Sequence, residues 1–217
     1  MASAIGAIGL VALVITALNW LSPHFQETRL MPPHLSIVVL PFTNLSDDRE
    51  QQYFADGVAE DLTTDLSRVD QMFVISRNTA FTYRDKPVDT RQIGRELGVR
   101  YVLQGSVQRS GSQLRVSAQL SDAENAANLW AERFDSDTGD LFAVQNEITR
   151  RIAVALNLEL IRAEAARPTK HPDALDYILR GRAILMKPPT PDNRAEAITL
   201  FNRALRSIRS RSRPRAG

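Results

Sequence analysis

The segment Tyr101–Leu120, YVLQGSVQRSGSQLRVSAQL, decides the fold that we expect. Apolar or small residues recur at every second position in both halves, which is the period of a strand with one buried face. Ser110, Gly111 and Ser112 supply a turn between the halves, so the segment predicts a β-hairpin. The stretch Ala127–Phe134 (ANLWAERF) follows it and predicts a third antiparallel strand.

Short β-branched runs and helical periodicities flank this three-stranded unit. In chain order they predict strand 36–42, helix 53–69, strand 72–76, helix 89–97 and, after the hairpin, helix 140–164. Gly98 follows the second helix as a C-cap, and Asp140 lies at the start of the last one. The order β-α-β-α-β-β-β-α predicts an α/β (α+β) domain over residues 36–165, with a mixed sheet and helices on one face.

The N-terminal residues predict a membrane anchor over residues 1–22. Ala2–Leu21 carries no charge, and twenty helical residues rise roughly 30 Å, which matches the hydrocarbon core of a bilayer. A cleaved signal peptide and a buried core helix are the alternatives. The run lacks a basic n-region and a good A-x-A cleavage site, which favours the anchor. Residues 23–35, rich in proline, predict a linker.

The charge distribution places the basic character in a tail. The chain has no cysteine, which excludes disulfides and thiolate metal sites. The sequence pI is about 9.2 at a formal net charge of +2. Five arginines lie at the C-terminal end, namely Arg206, Arg209, Arg211, Arg213 and Arg215. Removing these five charges from +2 leaves −3, so the body is mildly acidic and no specific nucleic-acid binding is expected.

Residues 173–206 predict a helical hairpin, with helices over 177–184 and 194–205 joined by a proline-rich turn. The Arg/Ser-rich residues 207–217 lack apolar periodicity and predict a disordered tail.

The chain has few side chains that could carry catalysis or bind a metal. His24 and His34 lie in the proline-rich linker and His171 lies beside Pro172, so all three predict solvated loop residues. Four acids form i,i+4 pairs on the first helix and could bind a metal or a nucleotide: Asp56, Glu60, Asp61 and Asp65. Their position opposite the apolar stripe favours a solvated polar face. No phosphate-binding glycine motif is present, so we expect no enzyme activity, cofactor or metal.

Four sequence blocks resemble the TolB-like amino-terminal domain of bacterial adenylate/guanylate cyclase proteins and CadC-like transmembrane regulators. They are residues 36–46 (SIVVLPFTNLS), 53–62 (YFADGVAEDL), 96–106 (ELGVRYVLQGS) and 129–135 (LWAERFD). The resemblance implies an output domain before one membrane helix, with the TolB-like domain and tetratricopeptide repeats on the far side. It therefore implies a single-pass inner-membrane protein with a periplasmic folded domain, here without its output domain.

The C-terminal hairpin resembles one tetratricopeptide unit, on the pattern Ala197-x-x-x-Phe201-x-x-Ala204. The proline expected soon after Leu205 is replaced by Ile208 and Arg209. A single repeat cannot bury its own apolar face, so we expect the reading frame or gene to be truncated near Arg206.

These observations predict a non-catalytic, membrane-anchored sensor or protein-interaction module. Its partner-binding residues are expected in two loops, at Asn44, Asp47, Asp48, Arg77, Asn78 and Tyr83. Protein partners are expected, with a homodimer as one form. Two alternatives stay open: an envelope assembly factor, and a metal- or nucleotide-dependent enzyme that uses the four acids of the first helix.

Overall fold

The computed structural model describes residues 32–48, 51–137 and 139–211. The expected anchor at Ala2–Leu21, most of the linker and residues 212–217 lie outside these ranges. Among the helices of the described residues, none is long and apolar enough to cross a membrane.

Six strands form one mixed sheet. They are β1 (Leu35–Val39), β2 (Thr43–Asn44), β3 (Met72–Val74), β4 (Tyr101–Ser110), β5 (Gln113–Asp122) and β6 (Asn128–Asp137). The strand order is β3-β1-β4-β5-β6, with β2 paired beside β4. β1 is parallel to β3 and to β4, whereas β4, β5 and β6 form the antiparallel meander that the alternation predicts. The predicted mixed sheet is confirmed.

Six helices are described with it. They are α1 (Gln51–Ser67), α2 (Arg77–Phe81), α3 (Thr90–Leu97), α4 (Leu141–Ala166), α5 (Ala174–Leu185) and α6 (Pro191–Arg211). Asp89 caps α3 through its side chain, and Gly98 ends that helix with φ +63°. Asp140 caps α4 by accepting from the amides of Phe142 and Ala143.

The helices lie on both faces of the sheet, so the prediction of helices on one face is wrong. Ile37 and Val39 face a core formed with α1 and α4, whereas Val38 between them faces a second core with α2 and α3. The cause is that β1 is parallel to both of its neighbours, and parallel strands are buried on both sides. Within the described residues, only the antiparallel half of the sheet keeps one face open.

Two local predictions also need correction. Residues 77–81, expected as part of a loop, form α2, which Ser76 caps by accepting from the amide of Thr79. Residues 207–211, expected in a disordered tail, continue α6 to Arg211. Arginine and serine are tolerated in a helix, and no proline interrupts this stretch before Pro214.

β1 and β2 form one strand line along β4 with an extra residue between them. Val39 pairs with Leu103, and Thr43 pairs with Ser106. The chain therefore advances four residues between these pairs on the β1–β2 side but three residues on β4, as in a β-bulge. The irregularity contains Pro41, which cannot donate to the ladder. It turns Phe42 over Gly105, where an added Cβ would lie 2.3 Å from the Phe42 ring. A glycine is therefore required at position 105.

A buried carboxylate joins the sheet to the C-terminal helices. The Glu164 side chain, at the end of α4, is only 1% exposed. Its oxygens accept from Arg100 Nη1 at 2.7 Å and from the Tyr101 hydroxyl at 2.7 Å, and His34 Nδ1 lies 3.1 Å away. His34 is therefore not a solvated loop residue as predicted, because its partners lie far away in the sequence.

Replacing Glu164 tests how much this carboxylate contributes to the stability of the domain. We expect Glu164→Gln to lower the free energy of unfolding by about 3 kcal/mol, because Arg100, whose side chain is only 10% exposed, loses its charge partner. The matched control is Glu147→Gln, on the same helix, where an exposed i,i+3 pair with Arg150 is lost. Its cost should stay below about 1 kcal/mol. Urea unfolding of both variants measures this, and equal costs would contradict the assignment.

Candidate functional site

A cleft of about 620 Å³ lies over the open face of the sheet. Its floor is formed by the middle of β4, β5 and β6. One rim is the β1–β2 connection at residues 40–44, and one wall is the segment Tyr83–Lys86 that follows α2. The cleft exists because α2 and α3 cover this face only over the parallel strands.

The floor carries polar groups without protein partners. Gln104, Ser106 and Ser117 are half-buried, and their side chains form no hydrogen bond with any described residue. Gln119 beside them donates only a long bond of 3.4 Å to Ser121. Polar groups in a concave surface bind water or a ligand when the protein does not satisfy them. The floor is therefore free to form hydrogen bonds with a bound molecule.

In the wall of the cleft, Arg84 is fixed by an ion pair, and Asp85 has an unusual backbone conformation. Arg84 donates to Asp56 of α1 at 2.7 Å, which fixes the wall against that helix. Asp85 adopts the left-handed region with φ +55°, a conformation that aspartate tolerates better than most residues. Lys86 is exposed and lies over the Tyr83 ring, 5.9 Å from its centroid. The wall thus presents an exposed cation to the cleft.

In the first of the two loops predicted to bind a partner, residues 44–48, the hydrogen bonds mainly stabilise the loop itself. Asn44 lines the cleft, but its amide donates to the Asp48 carbonyl at 2.8 Å and its oxygen accepts from the Ser46 amide. Asp48 also accepts from Gln51. Asp47 is exposed and does not line the cleft.

In the second predicted loop too, some residues stabilise the fold and only one lies at the cleft. Arg77 lies 3.2 Å from Glu60 and stacks over Phe81, so it holds α2 against α1. Asn78 is exposed on α2, away from the cleft lining. Tyr83 lines the cleft. Of the six predicted residues, the structure brings only Asn44 and Tyr83 to the cleft.

Tyr83 is bound to a carboxylate outside the cleft. Its hydroxyl donates to Glu96 Oε2 at 2.5 Å. This hydrogen bond, with some burial, raises the pKa of Tyr83 to about 12. The same hydrogen bond, with a second one from Gln92, lowers the pKa of Glu96 below 4.5. Tyr83 is therefore neutral at physiological pH and acts as a hydrogen-bond donor.

The floor of the cleft was not predicted from the sequence. Gln104, Ser106 and Ser117 occupy the polar positions of the alternating hairpin, and alternation alone does not distinguish a solvated face from a binding surface.

The four acids of α1 do not form a common site. Each carboxylate has its own partner, and the pairs are Asp56 with Arg84 at 2.7 Å, Glu60 with Arg77 at 3.2 Å, Asp61 with Gln145 at 2.6 Å and Asp65 with Arg68 at 3.4 Å. These contacts hold α1 to α2, to α4 and to its own last turn. The geometry gives no support to a metal or nucleotide site there.

One group of described residues has the chemistry of metal ligands, namely His34, Asp173 and Asp176. The two aspartates form the capping box of α5, so one oxygen of each already accepts from a backbone amide. The two imidazole nitrogens point at carboxylates, with Nδ1 3.1 Å from Glu164 and Nε2 3.4 Å from Asp173. The group is explained by these contacts alone.

The fold and the cleft define an α/β domain with an open polar sheet face, followed by an α-helical hairpin. The family model described as "HilA/YgeH-like transcriptional regulator, second domain" matches residues 33–151, and the chain belongs to this family.

A relative from Rhizobium meliloti (strain 1021), described as "Putative adenylate cyclase 3", is 47% identical over 161 residues. The match covers 72% of this chain and 27% of the relative, so the chain spans about a quarter of that protein. The resemblance to cyclase and regulator proteins is confirmed to this extent. The tetratricopeptide assignment stays a prediction.

Among solved structures, lipoprotein GNA1162 from Neisseria meningitidis is similar, with a TM-score of 0.42 and 20% identity over 55% of this chain and 98% of that one. TolB from Acinetobacter baumannii has a TM-score of 0.39 and 20% identity, over 56% of this chain and 28% of its own.

The hydrogen bond between Tyr83 and Glu96 can be tested by substitution. We expect Tyr83→Phe to raise the pKa of Glu96 toward 4.5, because the carboxylate loses its main donor. Since the folded-state pKa is lowered, the stability from this contact is present above 4.5 and is lost as the pH falls through the folded value. Carboxyl ¹³C NMR titration measures the shift. Gln92→Ala is the control and should move the pKa less; an unchanged titration in Tyr83→Phe would contradict the assignment.

Proposed function

We propose that this chain is a non-catalytic recognition module of a membrane-anchored signalling protein, and that the cleft binds a protein partner. The names of the matching family and relative, a transcriptional regulator and an adenylate cyclase, support a role in signalling. The observation that carries the proposal is the unpartnered polar floor formed by Gln104, Ser106 and Ser117.

The charges around the cleft favour an acidic partner surface. Lys86 and Arg133 line the cleft, and neither forms an ion pair with a described residue. The negative residues in the lining are Asp85 and Glu132, and Arg151 lies 3.8 Å from Glu132. A partner loop with one carboxylate and several amide or hydroxyl groups would satisfy both the cations and the floor.

The absence of catalysis is proposed from how the charged groups are used. In the described residues, the candidate acids of α1 and the carboxylates near His34 are all engaged in contacts that hold helices together. A general acid or base needs a group that reaches a substrate. At the cleft, the Tyr83 hydroxyl is turned to Glu96, and Arg151 lies 3.8 Å from Glu132.

Filling the cleft tests its role in signalling. The experiment replaces the matching 161-residue segment of the Rhizobium meliloti relative with that of this chain and measures cyclic AMP in cells. We expect Ser117→Trp to give the same cyclic AMP level as a deletion of the segment, because the indole ring occupies the cleft.

The matched control is Ser110→Trp, which places the same ring at the exposed hairpin tip. It should behave like the unmodified chimera. Thermal unfolding confirms that both variants fold. If the two tryptophan variants give the same cyclic AMP level, the cleft is not the recognition surface.

We propose further that Ala2–Leu21 anchors the chain in the inner membrane, that the folded domain is periplasmic, and that α5 and α6 are a tetratricopeptide-like unit. Gly181 and Phe201 support the last point, because the Phe201 ring would lie 2.6 Å from a Cβ on Gly181, so the helices pack closely.

The location can be measured with two C-terminal reporters, alkaline phosphatase and green fluorescent protein. We expect an active phosphatase and no fluorescence, since phosphatase folds only in the periplasm. The control is a fusion without residues 1–22, which should lose phosphatase activity. Fluorescence of the full chain would overturn the periplasmic assignment.

A further inference from the structure

The outer edge of β6 is unpartnered in the described part of the chain. The strand is ten residues long, lies at the end of the sheet and pairs only with β5. No other backbone hydrogen bond of the described residues involves it. Its outward amide and carbonyl groups are therefore available to another strand.

As far as the described residues show, the flank of α4 above this edge is also uncovered. Arg151 of α4 lies over the Phe134 ring of β6, 4.8 Å from its centroid, so this flank of α4 overlies the edge strand. Val154 and Leu158 follow at i+3 and i+7 and share that flank. They are 55% and 38% exposed. A strand edge and an apolar helix flank thus form one continuous surface.

The charges of β6 determine which second strand fits. When two copies of a strand pair antiparallel about a two-fold axis, residues on the same sheet face must be opposite each other, so one residue meets its own copy at the axis. An axis at Glu132, Arg133 or Asp135 sets like charges against each other. An axis at Phe134 instead sets Arg133 against the partner's Asp135, twice.

Within one chain, Arg133 and Asp135 differ in whether they already form an ion pair. Asp135 is held by Arg115, with Nε 2.7 Å from Oδ1, whereas Arg133 forms no ion pair with a described residue. Charged side chains on an edge strand usually hinder pairing with another strand. Here the alternating signs make the edge complementary to itself in one register.

We propose that β6 and the Val154/Leu158 flank of α4 bind a second copy of this chain, with Phe134 at the two-fold axis. The two sheets then continue into each other, and the two α4 helices meet through their exposed apolar residues. The cleft stays open in this arrangement, and Lys86 is then its free cation, because Arg133 at its border pairs with the partner's Asp135.

Single cysteines test the register directly, because the natural chain has none. In the proposed dimer, Ala131 is opposite the partner's Asp137, at about 5 Å between Cβ atoms. Two copies of position 131 are roughly 20 Å apart, at six residues of about 3.4 Å. Full chains carrying Ala131→Cys or Asp137→Cys are expressed in membranes, alone or together with different tags, and oxidised.

We expect a disulfide-linked dimer when the two variants are together and none from either alone. Adding Arg133→Glu or Val154→Lys to both partners should abolish the cross-link. The controls Arg91→Glu and Ile198→Lys make the same changes at exposed sites elsewhere and should keep it. No cross-link in the mixture, or equal cross-linking by either variant alone, would overturn the proposal.

Discussion

The contact between the Phe42 ring and the backbone of Gly105 is the constraint on which the arrangement of this domain depends. A side chain at position 105 would also meet the Ser117 carbonyl, 2.5 Å from the added Cβ. The extra residue of the β1–β2 line lies beside β4, between Val39 and Thr43, and the same residues form one rim of the cleft. The core and the cleft rim therefore depend on one packing contact.

The switch from parallel to antiparallel pairing at β4 explains why the cleft lies where it does. On one side of β4, parallel strands need helices on both faces, and α2 and α3 supply the second layer. On the other side, the meander needs only one covered face, which α1 and α4 provide. The second helical layer, α2 and α3, ends near β4, and its edge forms the wall of the cleft.

The sequence predicted those parts that depend on local patterns. The hairpin followed from alternation at Tyr101–Leu120, and the end of α3 from Gly98 as its C-cap. The second helical layer was missed because Val38 and Val39 look alike in composition although they face opposite cores. The partners of His34 were missed because Glu164 lies 130 residues away and no local pattern connects them. The cleft floor was missed because outward polar residues of a hairpin carry the same signal whether they face water or a ligand.

The ion network around Glu164 also brings the two ends of the domain together. His34 precedes the first strand, and Asp173 caps the first helix of the hairpin, yet the two lie 3.4 Å apart. The chain therefore enters and leaves the domain at one place, while the cleft lies at the opposite end of β1.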